Sequence, residues 1–295
     1  MAVPYGKNRM TERAVPPFHI IEPQGTHRPV IVASPHSGRN YMPEFLRLSR
    51  LGALALRRSE DCYVEQLFEA APGQGATLLH ATFPRAYCDV NREAWELDPT
   101  MFREPLPAWC NTTSRKVKAG FGTIARIVSR DGPIYARPLP FDEAEKRIST
   151  CWQPYHDALA HLVHDSVARH GFCLLLDAHS MPVVQGRGEQ PDFVLGNAWG
   201  TSCTQQMTAL VEHVLTAHGY SVARNVPFAG GYVTRHYGRP RRGVQALQLE
   251  MSRALYMDQD SLQPHEGFAR LQSVLMEVVA VLAQYGDMLA QMAAE

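Results

Sequence analysis

Residues 172–182, FCLLLDAHSMP, combine the strongest strand-like run of the chain with an acid and a histidine. The run FCLLLD is apolar without alternation, which is typical of a strand inside a sheet that is covered on both faces. His179 follows this run closely, and open α/β sheets bind ligands beyond the carboxyl ends of their strands. The stretch therefore predicts a central strand with a functional site at its end.

Segments of strand and helix character alternate on both sides of this run. The candidate strands are PVIVAS at 29–34, GATLLHATF at 75–83, DFVLGN at 192–197, YSVARN at 220–225 and VQALQLE at 244–250. The candidate helices cover 58–71, 142–168, 204–218 and 266–292, with a kink expected at Pro154. This alternation predicts a three-layer α/β domain.

Two stretches stand apart from this pattern. Residues 1–28 are expected to form an N-terminal leader or edge segment, before a single domain over residues 29–295. The stretch 98–140 is rich in proline, glycine and arginine and has little periodicity, so it is either a long irregular excursion or a small subdomain. Loops this long in compact enzymes are usually functional.

Composition restricts the classes of function. The formal charge is zero and the pI is about 7.2, which gives no electrostatic support for binding nucleic acid or an anionic membrane. We find no apolar core of a signal peptide and expect no membrane span. The six cysteines are scattered without a CxxC pair, which favours a reducing cytoplasm. The sequence gives no indication of an oligomeric state.

Four polar residues at the edges of apolar runs indicate chemistry: His36, Asp61, His179 and Glu250. Two imidazoles and a carboxylate are the ligand set of a hydrolytic zinc site that keeps one position open for water. A histidine after a strand is also a common structural residue. Glu60 is an equally good third ligand by spacing, and with Ser59 as helix cap either acid would be stabilised by the helix dipole alone.

Glu250 ends the apolar run VQALQLE. By the two-residue repeat of a strand, Leu247 and Leu249 share one face while Gln248 and Glu250 share the other. A buried glutamate without a partner costs several kcal/mol, so Glu250 must face solvent or a polar site. In a polar site it would serve as the base that activates water.

Two arginine clusters suit an anionic small substrate, because a guanidinium makes paired hydrogen bonds to a carboxylate. The first, FPRAYCDVNR, contains Arg85 and the pair Asn91-Arg92, and the second, GGYVTRHYGRP, contains Arg235 and His236. The structural alternative is that Arg92 pairs with Asp89 and that the arginines at 239–242 are solvated.

Competing chemistries lack their signatures. The sequence has no GxSxG nucleophile elbow, no GxGxxG and no Walker-type glycine loop. Cys203 has no evident base beside it.

Eight motifs, taken in order, closely resemble the N-formylglutamate amidohydrolases. They are SPHSG, EDCYVEQLF, RAYCDVNR, WQPYHDAL, LLLDAHSMP, PDFVLGNAWGTSC, FAGGYVTRHYG and VQALQLEMSRALYM, and together they span roughly residues 29–258. That family belongs to a wider group with the zinc carboxypeptidases, succinylglutamate desuccinylases and aspartoacylases. The resemblance implies a phosphorylase/hydrolase-like, zinc-carboxypeptidase-like α/β/α fold with a mixed central sheet.

The resemblance also implies hydrolysis of N-formyl-L-glutamate to L-glutamate and formate, a closing step of histidine breakdown, with one zinc ion per chain. Other divalent metals suit the same ligands. Carried over by position, His36, Asp61 and His179 match the metal ligands, and Glu250 matches the water-activating glutamate. The resemblance implies these contacts with the substrate: Arg85 stabilises the oxyanion, Asn91 and Arg92 clamp one carboxylate, and Arg235 with His236 binds the second carboxylate.

Two alternatives stay open. One is a deacylase of another N-acyl amino acid on the same fold. The other is a catalytically silent homologue that binds a small dicarboxylate.

Overall fold

A seven-stranded mixed sheet runs through the centre of the protein, which the computed structural model describes over residues 15–128, 132–184 and 188–294. Its strands are β1 (Phe18–Ile21), β2 (Val30–Ser34), β3 (Thr77–Ala81), β4 (Cys173–Met181), β5 (Phe193–Gly196), β6 (Val222–Arg224) and β7 (Val244–Ser252). The strand order is β1-β3-β2-β4-β7-β5-β6, and β3, β2, β4 and β7 are mutually parallel. A separate two-stranded ribbon pairs β8 (Met257–Asp258) with β9 (Gln263–Pro264).

The predicted central strand is confirmed as β4, whose nine residues are all buried. Its neighbour β7 is also buried along its whole length, and the two pair in register from Cys173 opposite Val244 onwards. This register places His179 directly opposite Glu250. Because both strands run in the same direction, their polar residues reach the same edge of the sheet.

Helices cover both faces of the sheet. They are α1 (Pro43–Leu48), α2 (Ala53–Arg57), α3 (Val64–Leu67), α4 (Arg115–Lys118), α5 (Phe141–Arg147), α6 (Gln153–His170), α7 (Gln205–Ala217), α8 (Tyr232–Tyr237) and α9 (Gly267–Ala294). One face of the sheet packs on α3, α7 and α9, and the opposite face packs on α1, α2, α6 and α8. The predicted three-layer α/β architecture is confirmed.

The helix predicted over 58–71 is wrong in its extent. Helix α2 ends at Arg57 and α3 begins only at Val64, because Tyr63 has a left-handed backbone with φ 65°. Ser59 caps no helix; its hydroxyl donates to the carbonyl of Leu56 at 2.8 Å. Asp61 therefore lies in the turn between the two helices, and the helix dipole does not account for its position.

The helix predicted over 142–168 also differs from the structure. Helices α5 and α6 are joined by a π-helical turn over Ile148–Trp152. Pro154 closely follows this π-helical turn, and its missing N–H and its ring disfavour regular α-helical bonding to the preceding turn, so the irregularity lies just before the proline. The later helices and strands follow the predictions closely.

The stretch 98–140 carries a small core of its own, and residues 129–131 within it lie outside the described part. Its buried residues, with neighbours from α5, are Leu97, Met101, Phe102, Cys110, Ile124, Leu139 and Ala144. This cluster favours the small-subdomain alternative over a loose excursion. Helix α4 belongs to this stretch.

The N-terminal strand β1 lies at one edge of the sheet, and the C-terminal helix α9 packs on one of its faces. Strand β1 falls within the predicted leader or edge segment and pairs antiparallel with β3, while residues 1–14 lie outside the described part. Against expectation, residues Gly267–Met292 of α9 are long and apolar enough to span a membrane by length and composition. One side of α9, including Leu275 and Val279, is nevertheless buried in the core, as in an internal helix of a folded domain. All six cysteines are free and buried.

Candidate active site

Three predicted metal ligands meet at the carboxyl edge of the sheet. The Oδ2 atom of Asp61 lies 3.3 Å from Nδ1 of His36 and 2.9 Å from Nδ1 of His179. One ligand atom from each residue lies within 4.8 Å of the others, and all three side chains are buried. This group can therefore bind a metal ion.

The outer ring nitrogens of the two histidines are held by carboxylates. Nε2 of His36 donates to Asp89 at 2.7 Å, and Nε2 of His179 donates to Asp177 at 2.9 Å. Histidines that bind metals usually donate their second N–H to a carboxylate, which fixes the tautomer and turns the other nitrogen inwards. The donor set thus fits a metal ion in its chemistry as well as in its spacing.

Asp61, and not Glu60, is the acid beside the histidines. Glu60 points away and bonds Tyr41 at 2.6 Å and Arg57 at 3.3 Å. The backbone N–H of Asp61 donates to the carbonyl of His36 at 3.0 Å, which fastens the two loops together. Geometry therefore decides what spacing left open.

The electrostatics of this group are tightly coupled. Burial alone would raise the pKa of Asp61, but hydrogen bonds from His179 and His36 bring it well below its ordinary value. Burial would lower the pKa of His179, yet Asp177 and Asp61 raise it well above its ordinary value. Without a cation, His179 carries a proton that satisfies the two acids.

Glu250 lies beside this group at the end of β7. Burial, opposed by His179 and reinforced by Asp61, raises the pKa of its carboxyl to about 7. Gln248 donates to Oε1 of Glu250 at 2.7 Å and accepts from the N–H of Gly231 at 2.6 Å. The predicted face of β7 therefore points into the site, with a carboxylate poised to exchange protons near neutral pH.

A cavity of about 460 Å³ opens over these residues. Among the residues described, its wall contains the acids Asp61 and Glu250 and an excess of cations, which are Arg85, Arg92, Arg115, Lys116, Arg235 and Arg253. Such an excess of positive charge favours an anionic ligand.

Arg85 and Arg92 both line the cavity. Nε of Arg85 donates to Asp89 at 2.9 Å, so Arg85 is the main partner of that acid. Arg92 is 3.6 Å from Asp89 and is held chiefly by main-chain carbonyls, with Nε on Phe121 at 2.8 Å and Nη1 on Asn91 at 2.6 Å. Pairing with Asp89 therefore accounts for only part of the contacts of Arg92.

Asn91 lines the cavity but is occupied at both ends of its amide. Its Nδ2 lies 3.1 Å from Nε2 of His179, and its Oδ1 accepts from the N–H of Val233 at 2.8 Å. A methyl group at Gly231 would lie 2.3 Å from this amide, so glycine is required for the close approach. Because Nε2 of His179 donates its proton to Asp177, its contact with the Asn91 amide is one of packing, and a role of Asn91 in binding substrate stays a prediction.

The second arginine cluster is only partly brought to the site. Arg235 lines the cavity, is exposed, and donates from Nε to the carbonyl of Gly230 at 3.0 Å. His236 is not among the lining residues; its ring stacks on Tyr232 with centroids 4.9 Å apart. The predicted role of His236 in substrate binding gains no geometric support.

Several residues of the site were not singled out from the sequence. The clearest is Arg253, a buried guanidinium that contacts Oδ1 of Asp61 at 3.2 Å and Ser180 at 3.1 Å. It leaves Oδ2 of Asp61 facing the histidines. Arg253 stands three residues after Glu250 in the sequence, and no local pattern marks it as part of the site. For Asp89 the sequence indicates only a pairing with Arg92, whereas in the structure it also contacts His36.

Comparison with known proteins gives one consistent result. The family model of N-formylglutamate amidohydrolase matches residues 28–257. An N-formylglutamate deformylase of Pseudomonas putida is 31% identical over 273 residues, which cover 88% of this chain and 93% of that protein. An N-formylglutamate deformylase of Pseudomonas aeruginosa is 30% identical over 239 residues, which cover 79% of this chain and 84% of that protein.

Solved structures agree with the sequence comparisons. The crystal structure of N-formylglutamate amidohydrolase from Ralstonia eutropha JMP134 superposes with a TM-score of 0.88 at 37% identity, covering 93% of this chain and 99% of that one. A gene product of Agrobacterium tumefaciens has a TM-score of 0.64 at 15% identity and shares the fold.

Proposed function

The chain belongs to the N-formylglutamate amidohydrolase family, and we propose from this membership that it hydrolyses N-formyl-L-glutamate to L-glutamate and formate with one bound zinc ion. We place this reaction in the cytoplasm, as a closing step of histidine degradation. One observation supports the proposal above all others. A His-Asp-His group lies at the floor of a cation-rich cavity, with Glu250 on the neighbouring strand.

His36, Asp61 and His179 would hold the zinc ion. When bound, zinc supplies Lewis acidity, which polarises a carbonyl and makes water more acidic. Asp89 and Asp177 keep the two imidazoles turned towards the ion, and Arg253 keeps the Asp61 carboxylate in place.

Glu250 acts as the base. It accepts a proton from the water that attacks the formyl carbon, and it returns the proton to the amide nitrogen as the C–N bond breaks. The products are formate and the free amine of glutamate. A pKa of about 7 suits this exchange, because the group then both accepts and releases a proton near neutral pH.

The arginines bind and orient the anionic substrate. Arg85, near the site and held by Asp89, stabilises negative charge on the carbonyl oxygen in the transition state. Arg92 contacts the α-carboxylate of the substrate, and Arg235, which also lines the cavity, adds positive charge that favours an anionic substrate. Neutral N-formyl amino acids are selected against because they leave these cations without partners.

Formate release from a set of substrates tests the proposal. We expect N-formyl-L-glutamate to give a kcat/KM at least about tenfold above N-formyl-L-aspartate, N-acetyl-L-glutamate and N-succinyl-L-glutamate. A higher value for the acetyl or succinyl compound would instead assign the protein to another deacylation. Tight glutamate binding without turnover of any of these compounds would indicate a silent homologue.

A further inference from the structure

Helix α4 brings two cations, Arg115 and Lys116, to the cavity. Arg115 and Lys116 both line it and are exposed. Their side chains make no hydrogen bond or ion pair with any residue in the described part of the chain. They come from the stretch 98–140, to which the proposed reaction assigns no role.

Three of the other cavity cations are engaged by the protein through several contacts or a buried acid, whereas Arg235, within the described residues, uses only its Nε, on the carbonyl of Gly230. Arg253 donates to Ser180, Asp61 and a main-chain carbonyl, and Arg92 donates to two main-chain carbonyls. Arg85 donates to Asp89. The α4 cations therefore retain more free donors for a ligand than the arginines at the cavity floor.

The position of α4 is fixed by the wall that carries Arg92. Nε of Arg92 donates to the carbonyl of Phe121 at 2.8 Å, and the N–H of Phe121 donates to the carbonyl of Lys116 at 2.8 Å. Ser114 caps the helix by accepting from the N–H of Val117 at 3.0 Å. Two consecutive hydrogen bonds thus connect the floor of the cavity to the helix that carries the free cations.

Charge at this wall is unbalanced without a ligand. Burial and the guanidinium groups of Arg92 and Arg85 lower the pKa of Lys116, and the acids Asp89 and Glu96 offset this only in part. An anion placed between these cations would relieve their mutual repulsion.

We propose that Arg115 and Lys116 bind the side-chain carboxylate of the substrate and so determine the selectivity for an acidic amino acid. This inference rests on the proposed function. Asn91 touches His179, so the Asn91-Arg92 pair lies next to the bond to be cleaved, and the α-carboxylate is the adjacent group. The side-chain carboxylate lies farther along the substrate, and the exposed cations of α4 line the same cavity.

The test compares N-formyl-L-glutamate with its neutral isostere N-formyl-L-glutamine. The double variant Arg115→Gln/Lys116→Gln removes both charges and keeps most of each side chain. Lys118→Gln is the matched control, because Lys118 is an exposed cation of the same helix that does not line the cavity. Formate release gives KM and kcat for each protein with each substrate.

We expect the double variant to raise KM for N-formyl-L-glutamate roughly 10- to 100-fold with kcat changed little, as for loss of charge-assisted hydrogen bonds. Its kcat/KM for N-formyl-L-glutamine should stay within about twofold of the wild type. The control should match the wild type with both compounds. An unchanged glutamate-to-glutamine ratio, or the same loss in Lys118→Gln, would overturn the proposal.

Calorimetric titration with L-glutamate and L-glutamine separates this inference from the proposed reaction. If the wild type releases no formate, the proposed function fails, while a loss of glutamate binding confined to the double variant still supports the α4 assignment. Equal glutamate binding by wild type and double variant overturns the assignment, whatever the activity.

Discussion

His179 is the residue on which the contacts of the site converge. Its Nδ1 faces Asp61 and its Nε2 faces Asp177, each at 2.9 Å, while Asn91 lies at 3.1 Å and Glu250 stands opposite in the sheet. A buried imidazole between two acids is well suited to exchange its proton for a cation.

Metal affinity should therefore increase with pH. The raised pKa of His179 means that the ring is protonated at neutral pH without metal, so a binding cation must displace that proton. We expect the apparent affinity to fall about tenfold for each pH unit lost, for one displaced proton. Calorimetric titrations with zinc in two buffers of different ionisation enthalpy give the number of protons released on binding. A pH-independent affinity with no proton release would show that His179 is not a ligand.

Glu250→Gln tests the base. The amide keeps the shape of the side chain but cannot accept a proton from water, so kcat should fall roughly 10²- to 10⁴-fold. Zinc content, measured by elemental analysis, should equal that of the wild type, because the metal ligands are other residues. A near-normal kcat would remove Glu250 from this role.

At the scale of elements, parallel pairing of β2, β4 and β7 builds the site. His36 follows β2, while His179 and Glu250 lie near the ends of β4 and β7, so the shared strand direction gathers them at one edge. Asp61, the third proposed ligand, lies in the turn between α2 and α3. Arg253, just beyond β7, secures that turn by contacts with Asp61 and the carbonyl of Arg58.

Loss of the contact between Arg253 and Asp61 should weaken metal binding. Arg253→Met keeps the apolar stem of the side chain but frees Oδ1 of Asp61, and we expect zinc affinity to fall about 10- to 100-fold, as for other partners of metal ligands. Competition with a chromogenic chelator measures the change. Arg242→Met, at an exposed position outside the cavity, is the control. Equal affinity in both variants would limit Arg253 to a structural role.

At the scale of the whole molecule, the sequence predicts the buried parallel strands and the polar residues at their carboxyl ends. The strands β4 and β7 were recognisable from their unbroken apolar runs, and His179 and Glu250 followed from the ends of those runs. The helix over 58–71 was mispredicted because the left-handed backbone of Tyr63 goes with tertiary contacts, including a hydrogen bond from its hydroxyl to Leu262, 199 residues away.

Asp89 and Arg253, which hold the proposed metal ligands in place, could not be predicted from local patterns, because their contacts join residues far apart in the sequence. Asp89 contacts His36 across 53 residues of sequence, and Arg253 contacts Asp61 across 192. Neither lies in a pattern that distinguishes it from an ordinary surface charge. Only the folded chain shows that the two side chains are buried and joined to the predicted ligands.

Zinc titration of the metal-stripped protein is the most direct measurement. After removal of metal by a chelator, formate release from N-formyl-L-glutamate should be lost, and it should return in proportion to added Zn²⁺ up to one equivalent per chain. The variant His179→Ala should not recover at that stoichiometry. Full activity in protein shown by elemental analysis to be free of divalent metal would contradict a catalytic ion held by His36, Asp61 and His179.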